Sequence, residues 1–201
     1  MSAPRRLVLA SASPRRRRLL ETLGLDFEVR PVDLDESPLD GEAPEEMVLR
    51  LARAKAEAAV GGDGSELVLA ADTIVVLDGR ILGKPADAAD ARRLLTDLQG
   101  REHAVLTGVA LADSATGERR AALDRTAVRI APLDAERIAW YVATGEPMDK
   151  AGAYAIQGIG AALVESIDGN YTNVVGLPLP TVRRLLGDLG LELLELRRDE
   201  W

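Results

Sequence analysis

The stretch that decides the fold spans residues 7–24 and reads LVLASASPRRRRLLETLG. Residues 7–10 form an apolar run, which predicts a short buried β-strand. Ser13 followed by Pro14 is typical of a helix start, because serine is a favoured N-cap and proline suits the first helical position. Leucines then recur on one helical face, and Gly24 can end the helix. The stretch therefore predicts a strand that leads directly into an amphipathic helix.

Outward from this stretch, strands and helices alternate along the chain. Further strands are predicted at residues 27–30, 66–77, 103–112, 120–131, 161–166 and 173–175. Further helices are predicted at residues 44–60, 87–98, 134–142 and 178–189. Asp78-Gly79 is a hairpin turn signal, and a turn at residues 113–117 joins two long strands. Because the alternation is irregular and includes an antiparallel pair, we predict an α/β (α+β mixed) fold with a twisted mixed sheet flanked by helices.

The composition limits what the chain can do. Its 201 residues suit a single domain, and its net charge of −8 argues against nucleic-acid binding, which depends on neutralising phosphates. There is no cysteine and one histidine, so thiolate chemistry and multi-histidine metal sites are excluded. A metal would be held by carboxylates, which favours Mg²⁺ or Mn²⁺. No apolar run approaches the ~20 residues of a membrane span, so we expect a soluble cytoplasmic protein with no membrane partner.

Residues 11–18, which read SASPRRRR, are a candidate anion site. A strand that leads into a helix N-terminus presents free N–H groups and the positive end of the helix dipole. The positive charges of four arginines in the same first turn are unfavourable next to the positive end of the dipole. A bound polyphosphate would make the interaction favourable. The alternative is a solvated basic helix face. Because the four arginines point around most of the helix, some of them must be solvated in either case. The segment lacks the Walker glycines and is not a P-loop.

Carboxylates stand in two further places. Asp33, Asp35 and Glu36 lie in an acidic segment that is either a solvated loop or a metal-binding one. Asp72 is at the C-terminal end of the buried strand segment 66–71, which continues as strand over residues 73–77; open α/β sheets place ligands at the carboxyl ends of strands. A hydrophobic run that ends in aspartate is also a common structural cap. The pattern alone therefore leaves both roles of Asp72 open.

The remaining candidates are polar side chains in separate motifs. The proline of the GKP motif keeps Lys84 extended, so that it is either a phosphate ligand or a solvent-exposed lysine. Gln157 lies among small residues at 149–160, where its amide can read a base edge; the alternative is a tight packing loop. Lys55 lies inside a predicted helix, where a solvated lysine is the ordinary interpretation. His103 is a strand residue for which we expect no catalytic part. The whole set fits metal-assisted attack of water on a phosphate ester or anhydride.

Six segments, in order, resemble the motifs of the Maf family of nucleoside triphosphate pyrophosphatases, first associated with septum formation. They are LASASPRR, LARAKA, AADTIV, GKP, DKAGAYAIQGIGA and NVVGLPL, and the resemblance runs from about Leu7 to Leu179. It implies a mixed α/β fold with two lobes around a cleft, similar to inosine triphosphatases. It also implies a divalent-metal enzyme that converts a nucleoside triphosphate to the monophosphate and pyrophosphate. Family members often form homodimers, which makes a homodimer a candidate assembly here, although the sequence itself does not give the oligomeric state.

The resemblance also assigns roles to particular residues. Asp72 matches the family's catalytic carboxylate, described as the proton acceptor, and Asp72 and Glu36 are the expected metal ligands. The polar and basic positions on the phosphate side of the substrate are matched by Ser11, Arg15, Arg16, Lys55 and Lys84.

Three positions track the substrate class within the family, and here they hold Arg15, Thr73 and Gln157. The sister group that acts on 7-methyl-GTP has tryptophan, glutamine and glutamate in those places. The chain therefore resembles the group that acts on dTTP and UTP, including modified pyrimidine triphosphates. We expect Thr73 and Gln157 to contact the edge of the pyrimidine.

The chain departs from the family pattern in two places. Arg17 and Arg18 extend the basic run, and residues 195–201 are interpreted as a tail. Two alternative functions stay open at this point. One is a non-catalytic nucleotide sensor that regulates septum formation through a partner, which would not need Asp72 and Glu36 together. The other is a phosphatase that releases orthophosphate. The sequence also leaves open whether the cellular role is nucleotide-pool sanitation or control of division.

Overall fold

The computed structural model describes residues 5–61 and 64–196. Its β-strands are β1 (Arg6–Leu9), β2 (Phe27–Val29), β3 (Glu66–Leu77), β4 (Arg80–Leu82), β5 (Glu102–Asp113), β6 (Arg119–Ile130) and β7 (Val164–Asp168). Its α-helices are α1 (Pro14–Thr22), α2 (Pro44–Ala59), α3 (Ala88–Leu98), α4 (Ala135–Ala143), α5 (Tyr171–Val175) and α6 (Leu179–Gly187). Short 3-10 helices occur at Glu146–Asp149, Ala151–Ala153, Gly158–Leu163 and Leu193–Leu196.

The strands form one mixed sheet in the order β2-β1-β3-β5-β6-β7, with β4 paired to β3 outside this order. Strand β1 runs parallel to β2 and β3, whereas β4 is antiparallel to β3 and β7 is antiparallel to β6. Asp78 and Gly79 have positive φ angles of 51° and 76° and form the predicted hairpin turn between β3 and β4. Helices that bury apolar faces lie between the strands in sequence. The predicted mixed α/β fold is therefore confirmed.

The internal contacts of the chain divide it into two compact units. The first takes its described residues from Met1–Asp72, Thr107–Asp124 and Gly176–Trp201. The second consists of Thr73–Leu106 and Arg125–Val175. Three of the four boundaries fall within β3, β5 and β6, so each of these strands contributes residues to both units, and the fourth directly follows α5. The prediction of a single domain over residues 1–201 stays a prediction.

In the first unit, helix α2 comes into backbone contact with β5 at Gly108. A Cβ atom at this position would collide with the carbonyl group of Val48, so only glycine permits the approach. Lys55 lies seven residues after Val48, which is about two helical turns, and both residues are on the buried face of α2. The contact at Gly108 thus helps to set the position of the helix that carries Lys55.

Also in the first unit, a buried carboxylate connects the three parallel strands. Glu66 at the start of β3 is fully buried, and it accepts hydrogen bonds from Arg30 Nη2 (2.8 Å), Arg6 Nη2 (2.6 Å) and the N–H of Gly61 (3.1 Å). These bonds, led by those from Arg30, lower the pKa of Glu66 to about 2. Arg6 begins β1 and Arg30 follows β2, so the network joins these strands to β3.

In the second unit, His103 of β5 forms a buried polar pair with Tyr154. His103 Nε2 lies 2.7 Å from the Tyr154 hydroxyl oxygen, and the two rings meet edge to face with centroids 5.2 Å apart. Burial lowers the pKa of His103 to about 4. The imidazole is therefore neutral at physiological pH. His103 lies in a strand, as predicted.

The strand predicted at residues 173–175 is wrong, because these residues belong to helix α5. Asn170 caps this helix: its Oδ1 accepts a hydrogen bond from the N–H of Thr172 (2.9 Å), and its carbonyl accepts one from the N–H of Val174 (3.4 Å). The apolar pair after Asn173 is typical of strands, but this local cap outweighs that tendency. Strand β7 also starts later than predicted, at Val164, because the 3-10 helix Gly158–Leu163 takes up the preceding residues.

The first two residues of the predicted tail lie in the 3-10 helix Leu193–Leu196. The carbonyl of Leu196 accepts a hydrogen bond from the N–H of Asp26 (3.2 Å), and the residue packs against the core of the first unit. The rest of the predicted tail, residues 197–201, lies outside the described residues. Throughout the part of the chain that the structure describes, helices with the length and apolar character of a membrane span are absent.

Replacing His103 with glutamine should make the protein less sensitive to acid. A folded-state pKa of about 4, below the ordinary 6.5, means that the unfolded chain binds the proton more tightly, so stability is lost as the pH falls from 6.5 towards 4. Between about pH 7 and about pH 4.5, we expect the wild type to lose about 2 kcal/mol more unfolding free energy than His103→Gln. Urea unfolding at a series of pH values measures this difference. Parallel pH curves for the two proteins would contradict the prediction.

Candidate functional site

The candidate phosphate site begins where β1 runs into α1. Ser13 has extended backbone angles, and its Oγ accepts a hydrogen bond from the N–H of Arg16 (3.4 Å), which makes it the N-cap of α1 as predicted. Ser11 Oγ accepts a hydrogen bond from the N–H of Ser13 (3.2 Å). The two serines thus order the chain between the strand and the helix. Anion binding at this helix start stays a prediction.

Arg16 is held in place by two hydrogen bonds. Its Nε donates to the carbonyl oxygen of Gly176 (2.7 Å), and its Nη1 donates to Ser11 Oγ (3.1 Å). Burial lowers the pKa of Arg16, while the nearby carboxylates of Asp72 and Glu36 act in the opposite direction. A guanidinium has five N–H donors in a planar fork, so these two bonds alone do not exhaust its capacity to bind a phosphate.

The other arginines of the basic run differ in how exposed they are to solvent. Arg15 is half-buried, whereas Arg17 and Arg18 are exposed. Arg17 Nε pairs with Glu21 Oε1 (2.7 Å) one turn later in α1. An exposed pair of this kind contributes only about 0.3–0.5 kcal/mol. The solvated-face alternative therefore holds for the last two arginines, and the candidate phosphate contacts narrow to the first two.

A buried lysine connects the two carboxylates that the resemblance assigns to metal. Lys55 Nζ donates to Asp72 Oδ1 (2.6 Å) and forms an ion pair with Glu36 Oε1. The side chains of Lys55 and Asp72 are 10% and 9% exposed, whereas that of Glu36 is 56% exposed. The interpretation of Lys55 as a solvated lysine is therefore wrong. Because ion pairs strengthen where water is excluded, Lys55 fixes Asp72 more firmly than it fixes Glu36.

The loop that carries Glu36 is itself tied to helix α2. Asp35 Oδ1 accepts a hydrogen bond from the N–H of Ser37 (2.9 Å), which turns the chain directly after Glu36. Arg50 of α2 donates from Nη2 to the carbonyl of Ser37 (3.1 Å) and to Glu42 Oε2 (2.7 Å). Arg50 thus anchors the loop to α2 from the C-terminal end of this turn onward.

These contacts separate the three acidic candidates of the loop. Asp33 is exposed and Asp35 bonds its own turn, so Glu36 is the one that the structure brings to Lys55. No sequence motif pointed to Arg50 or to its partner Glu42, whose pKa the bonds from this guanidinium lower to about 2. The only signal was a pair of opposite charges eight residues apart, and that separation is not a helical neighbour spacing.

The remaining predicted substrate residues, Thr73, Lys84 and Gln157, belong to the second unit. Thr73 continues β3, and Lys84 is exposed after β4. The carbonyl of Gly83 accepts a hydrogen bond from the N–H of Gly152 (3.0 Å), which joins the GKP and DKAGAY motifs. Gln157 is extended and partly exposed, and its amide does not cap the 3-10 helix that follows it. The second unit therefore contains Lys84 and the two side chains expected to contact the base, and their roles stay predictions.

Glu36 and Asp72 fit the donor set of a hard divalent cation. Both carboxylates contact the same ammonium, so they converge on a place that suits positive charge. Mg²⁺ is usually bound by one or two carboxylates, with phosphate oxygens and water completing its shell. Within residues 5–61 and 64–196, groups of three or more His, Asp or Glu side chains that could hold an ion are absent. The protein groups thus fit a metal that binds together with a phosphate.

The comparison with known families agrees with the motif order. The family described as "Maf-like protein" matches residues 6–189, a span that includes all of the predicted site residues. The chain belongs to the Maf-like family. In this Maf-like chain the first unit brings together Ser11, Arg15, Arg16, Glu36, Lys55 and Asp72.

Several relatives of the Maf-like chain are named dTTP/UTP pyrophosphatase. It is 56% identical to that of Anaeromyxobacter sp. (strain Fw109-5) over 188 residues, which cover 92% of this chain and 90% of the relative. It is 53% identical to that of Symbiobacterium thermophilum (92% and 94% covered) and 50% identical to that of Pelotomaculum thermopropionicum (94% and 98% covered). Among solved structures it is similar to a HAM1 protein from Coxiella burnetii, with 18% identity, 80% of each chain covered and a TM-score of 0.45.

Arg16→Lys should destabilise the protein although it keeps the charge. A lysine ammonium cannot reproduce the fork that bonds both the Gly176 carbonyl and Ser11 Oγ. Because a partly buried acceptor loses its partner, we expect the unfolding free energy to fall by about 1–2 kcal/mol. Arg17→Lys, which changes an exposed arginine of the same helix, should shift it by less than about 0.5 kcal/mol. Urea unfolding of both variants measures these values, and equal losses would contradict the prediction.

Proposed function

We propose that this Maf-like chain is a nucleoside triphosphate pyrophosphatase that acts on dTTP and UTP, including modified pyrimidine nucleotides. The observation that carries the proposal is the contact of Lys55 with both Asp72 and Glu36. It holds two carboxylates close to Arg16, whose pKa responds to both. Hydrolysis of a phosphoanhydride needs such an arrangement, with a water-activating carboxylate beside basic phosphate ligands. The name of the relatives at 50–56% identity supports the proposed substrates.

In the proposed reaction, Asp72 is the general base. Its carboxylate accepts a proton from a water molecule whose oxygen forms a new bond to the α-phosphorus. The bond from the α-phosphorus to the oxygen that bridges to the β-phosphate breaks, and this oxygen leaves with the electron pair as part of pyrophosphate. A carboxylate has about four acceptor sites, so the bond from Lys55 orients Asp72 without preventing it from binding water.

The basic side chains are proposed to stabilise the charge that develops on the phosphates. Ser11, Arg15 and Arg16 would bind the triphosphate at the start of α1, with Lys84 as a further ligand. Donors that are already in place before the reaction usually provide the largest part of such stabilisation. Arg16 meets this condition, because hydrogen bonds to Gly176 and Ser11 hold it independently of substrate. Its position would therefore cost little to establish when the substrate binds.

Glu36 and Asp72 are also the proposed ligands of Mg²⁺ or Mn²⁺. When bound, such an ion neutralises negative charge on phosphate oxygens. Glu36 is 56% exposed, so it can exchange its ion pair with Lys55 for another cation at lower cost than the buried Asp72 can. Lys55 would then stay with Asp72 and keep the carboxylate in its orientation.

The preference for pyrimidines is proposed to come from Thr73 and Gln157, together with Arg15. A glutamine amide carries a donor and an acceptor, so it can match one arrangement of polar groups on a base edge and mismatch another. Once a bound base covers this amide, leaving it without a partner costs about 1–3 kcal/mol. This penalty is the proposed source of discrimination against other bases.

A non-catalytic nucleotide sensor is the weaker alternative. Burying a carboxylate with an ammonium costs free energy, and a protein that only binds phosphate gains nothing from pairing Asp72 with Lys55 in this way. The proposal also includes a cytoplasmic location, a homodimer, and a cellular role in nucleotide-pool sanitation or in arrest of division. It involves neither nucleic acid nor membrane.

The identity of the product distinguishes the candidate functions. Incubated with dTTP and Mg²⁺, the protein should release one pyrophosphate and one dTMP per dTTP, because attack at the α-phosphorus leaves the β- and γ-phosphates joined. Turnover of dTTP and UTP should exceed that of CTP and GTP at least about 10-fold. Phosphate and pyrophosphate assays on the same samples measure this. Orthophosphate alone would indicate a phosphatase, no product would indicate a sensor, and equal turnover of all four nucleotides would contradict the role of Gln157.

Asp72→Asn should abolish most of the turnover while the protein stays folded. The amide keeps the shape of the side chain but cannot accept the proton, so we expect kcat for dTTP to fall by about 10²–10⁴-fold. Asp40→Asn makes the same change at an exposed position of the same unit and should keep kcat within about 2-fold. Circular dichroism confirms that both variants are folded. A near-normal rate in Asp72→Asn would remove this residue from the mechanism.

A further inference from the structure

In the second unit, a carboxylate that the proposed reaction does not use holds the glycine-rich segment QGIG, residues 157–160. Glu146 Oε2 accepts a hydrogen bond from the N–H of Ile159 (2.9 Å), and Glu146 Oε1 accepts one from the N–H of Gly160 (2.8 Å). The hydroxyl of Tyr141 donates to the same Oε1 (2.9 Å). One carboxylate thus receives three hydrogen bonds, two of them from consecutive backbone amides of this segment.

The same contacts account for both glycines of the segment. Gly158 has a φ of +68°, and a Cβ there would lie 2.5 Å from Glu146 Oε2. A Cβ at Gly160 would lie 2.5 Å from both the Tyr141 hydroxyl oxygen and the carbonyl oxygen of Ala155. Because glycine has no side chain, the backbone at Gly158 and Gly160 can come this close to Glu146 and Tyr141.

The carboxylate is charged, which strengthens its hold on the segment. Burial by itself would raise the pKa of Glu146, but the N–H groups of Gly160 and Ile159 and the hydroxyl of Tyr141 outweigh it and lower the pKa below its ordinary value. Hydrogen bonds to an ionised acceptor are about twice as strong as those between neutral groups. Tyr141 is itself fully buried in α4, so the support behind the carboxylate is rigid.

We propose that Glu146 is a positioning residue that sets nucleotide specificity by fixing the segment that begins with Gln157. This inference rests on the proposed function, in which Gln157 reads the base. Gln157 is extended (φ −111°, ψ 165°), and its amide makes no capping bond to the 3-10 helix Gly158–Leu163. An amide discriminates between bases only if its position is fixed to about 0.5 Å. The anchored amides of Ile159 and Gly160, two and three residues later in the chain, supply that constraint.

Glu146→Gln tests this role. The glutamine keeps the size of the side chain but has one acceptor oxygen in place of two, so a backbone N–H of the segment loses its partner. We expect the ratio of kcat/KM for dTTP to that for dCTP to fall about 10-fold, mainly through KM, with kcat for dTTP within about 3-fold of wild type. Glu165→Gln removes the same charge from an exposed position of β7 in the same unit and should leave the ratio unchanged.

Hydrogen exchange gives a second readout that does not depend on activity. The amides of Ile159 and Gly160 should exchange at least about 10-fold faster in Glu146→Gln than in wild type or Glu165→Gln. Unchanged exchange, an unchanged dTTP-to-dCTP ratio, or equal losses of kcat and kcat/KM for both nucleotides would each overturn the proposal.

Two further outcomes keep the test decisive. If Glu146→Gln does not fold, Tyr141→Phe removes one of the three bonds and should change the ratio and the exchange rates in the same direction by a smaller factor; no change in this variant would overturn the proposal. If the wild type releases no pyrophosphate from any nucleotide, the proposed function fails and the specificity role fails with it. The exchange rates still decide separately whether Glu146 holds the segment.

Discussion

The structure of the candidate site depends on the ammonium group of Lys55, which forms ion pairs with Asp72 and Glu36 and is largely shielded from water. A buried charge is tolerated only when it is paired, so the elements that carry these three residues cannot shift independently. Helix α2 is held at Gly108, where the absence of a side chain lets its backbone touch β5. Lys55, on the buried face of α2, is therefore where the acidic loop and strand β3 meet the helix, through Glu36 and Asp72.

The same principle recurs at two other carboxylates of the molecule. Glu66 receives bonds from two arginines and a backbone amide and joins three parallel strands. Glu146 receives bonds from a tyrosine and two backbone amides and holds a glycine-rich segment. In each case a charged acceptor is surrounded by fixed donors, which lowers its pKa and makes its position rigid. A site built on such supports is in place before a substrate arrives, which is the condition for efficient electrostatic catalysis.

The errors of prediction have two physical causes, a local hydrogen bond that overrides a residue's usual tendency and a partner that is distant in sequence. Residues 173–175 contain two valines and were predicted as a strand, but Asn170 supplies a cap that starts helix α5. From its helix position alone Lys55 was interpreted as solvated, whereas the resemblance placed it on the phosphate side of the substrate; its burial follows from which face of α2 meets the sheet. Arg50 carried no motif, although it anchors the loop beside Glu36. For residues 173–175 the deciding contact is one local hydrogen bond. For Lys55 and Arg50 it is a partner that is distant in sequence.

The sequence by itself determined the strand that leads into α1, the cap at Ser13, the hairpin at Asp78-Gly79 and the membership of the family, because each rests on signals between near neighbours or on motif order. The resemblance singled out Arg15, Arg16 and Glu36, but only the tertiary structure shows what distinguishes them: Arg17 and Arg18 are exposed, and Glu36 is the acidic residue of the loop that reaches Lys55. Four adjacent arginines are alike as residue types, and so are the neighbouring carboxylates. Burial and the partners that folding brings close give each of them a different role.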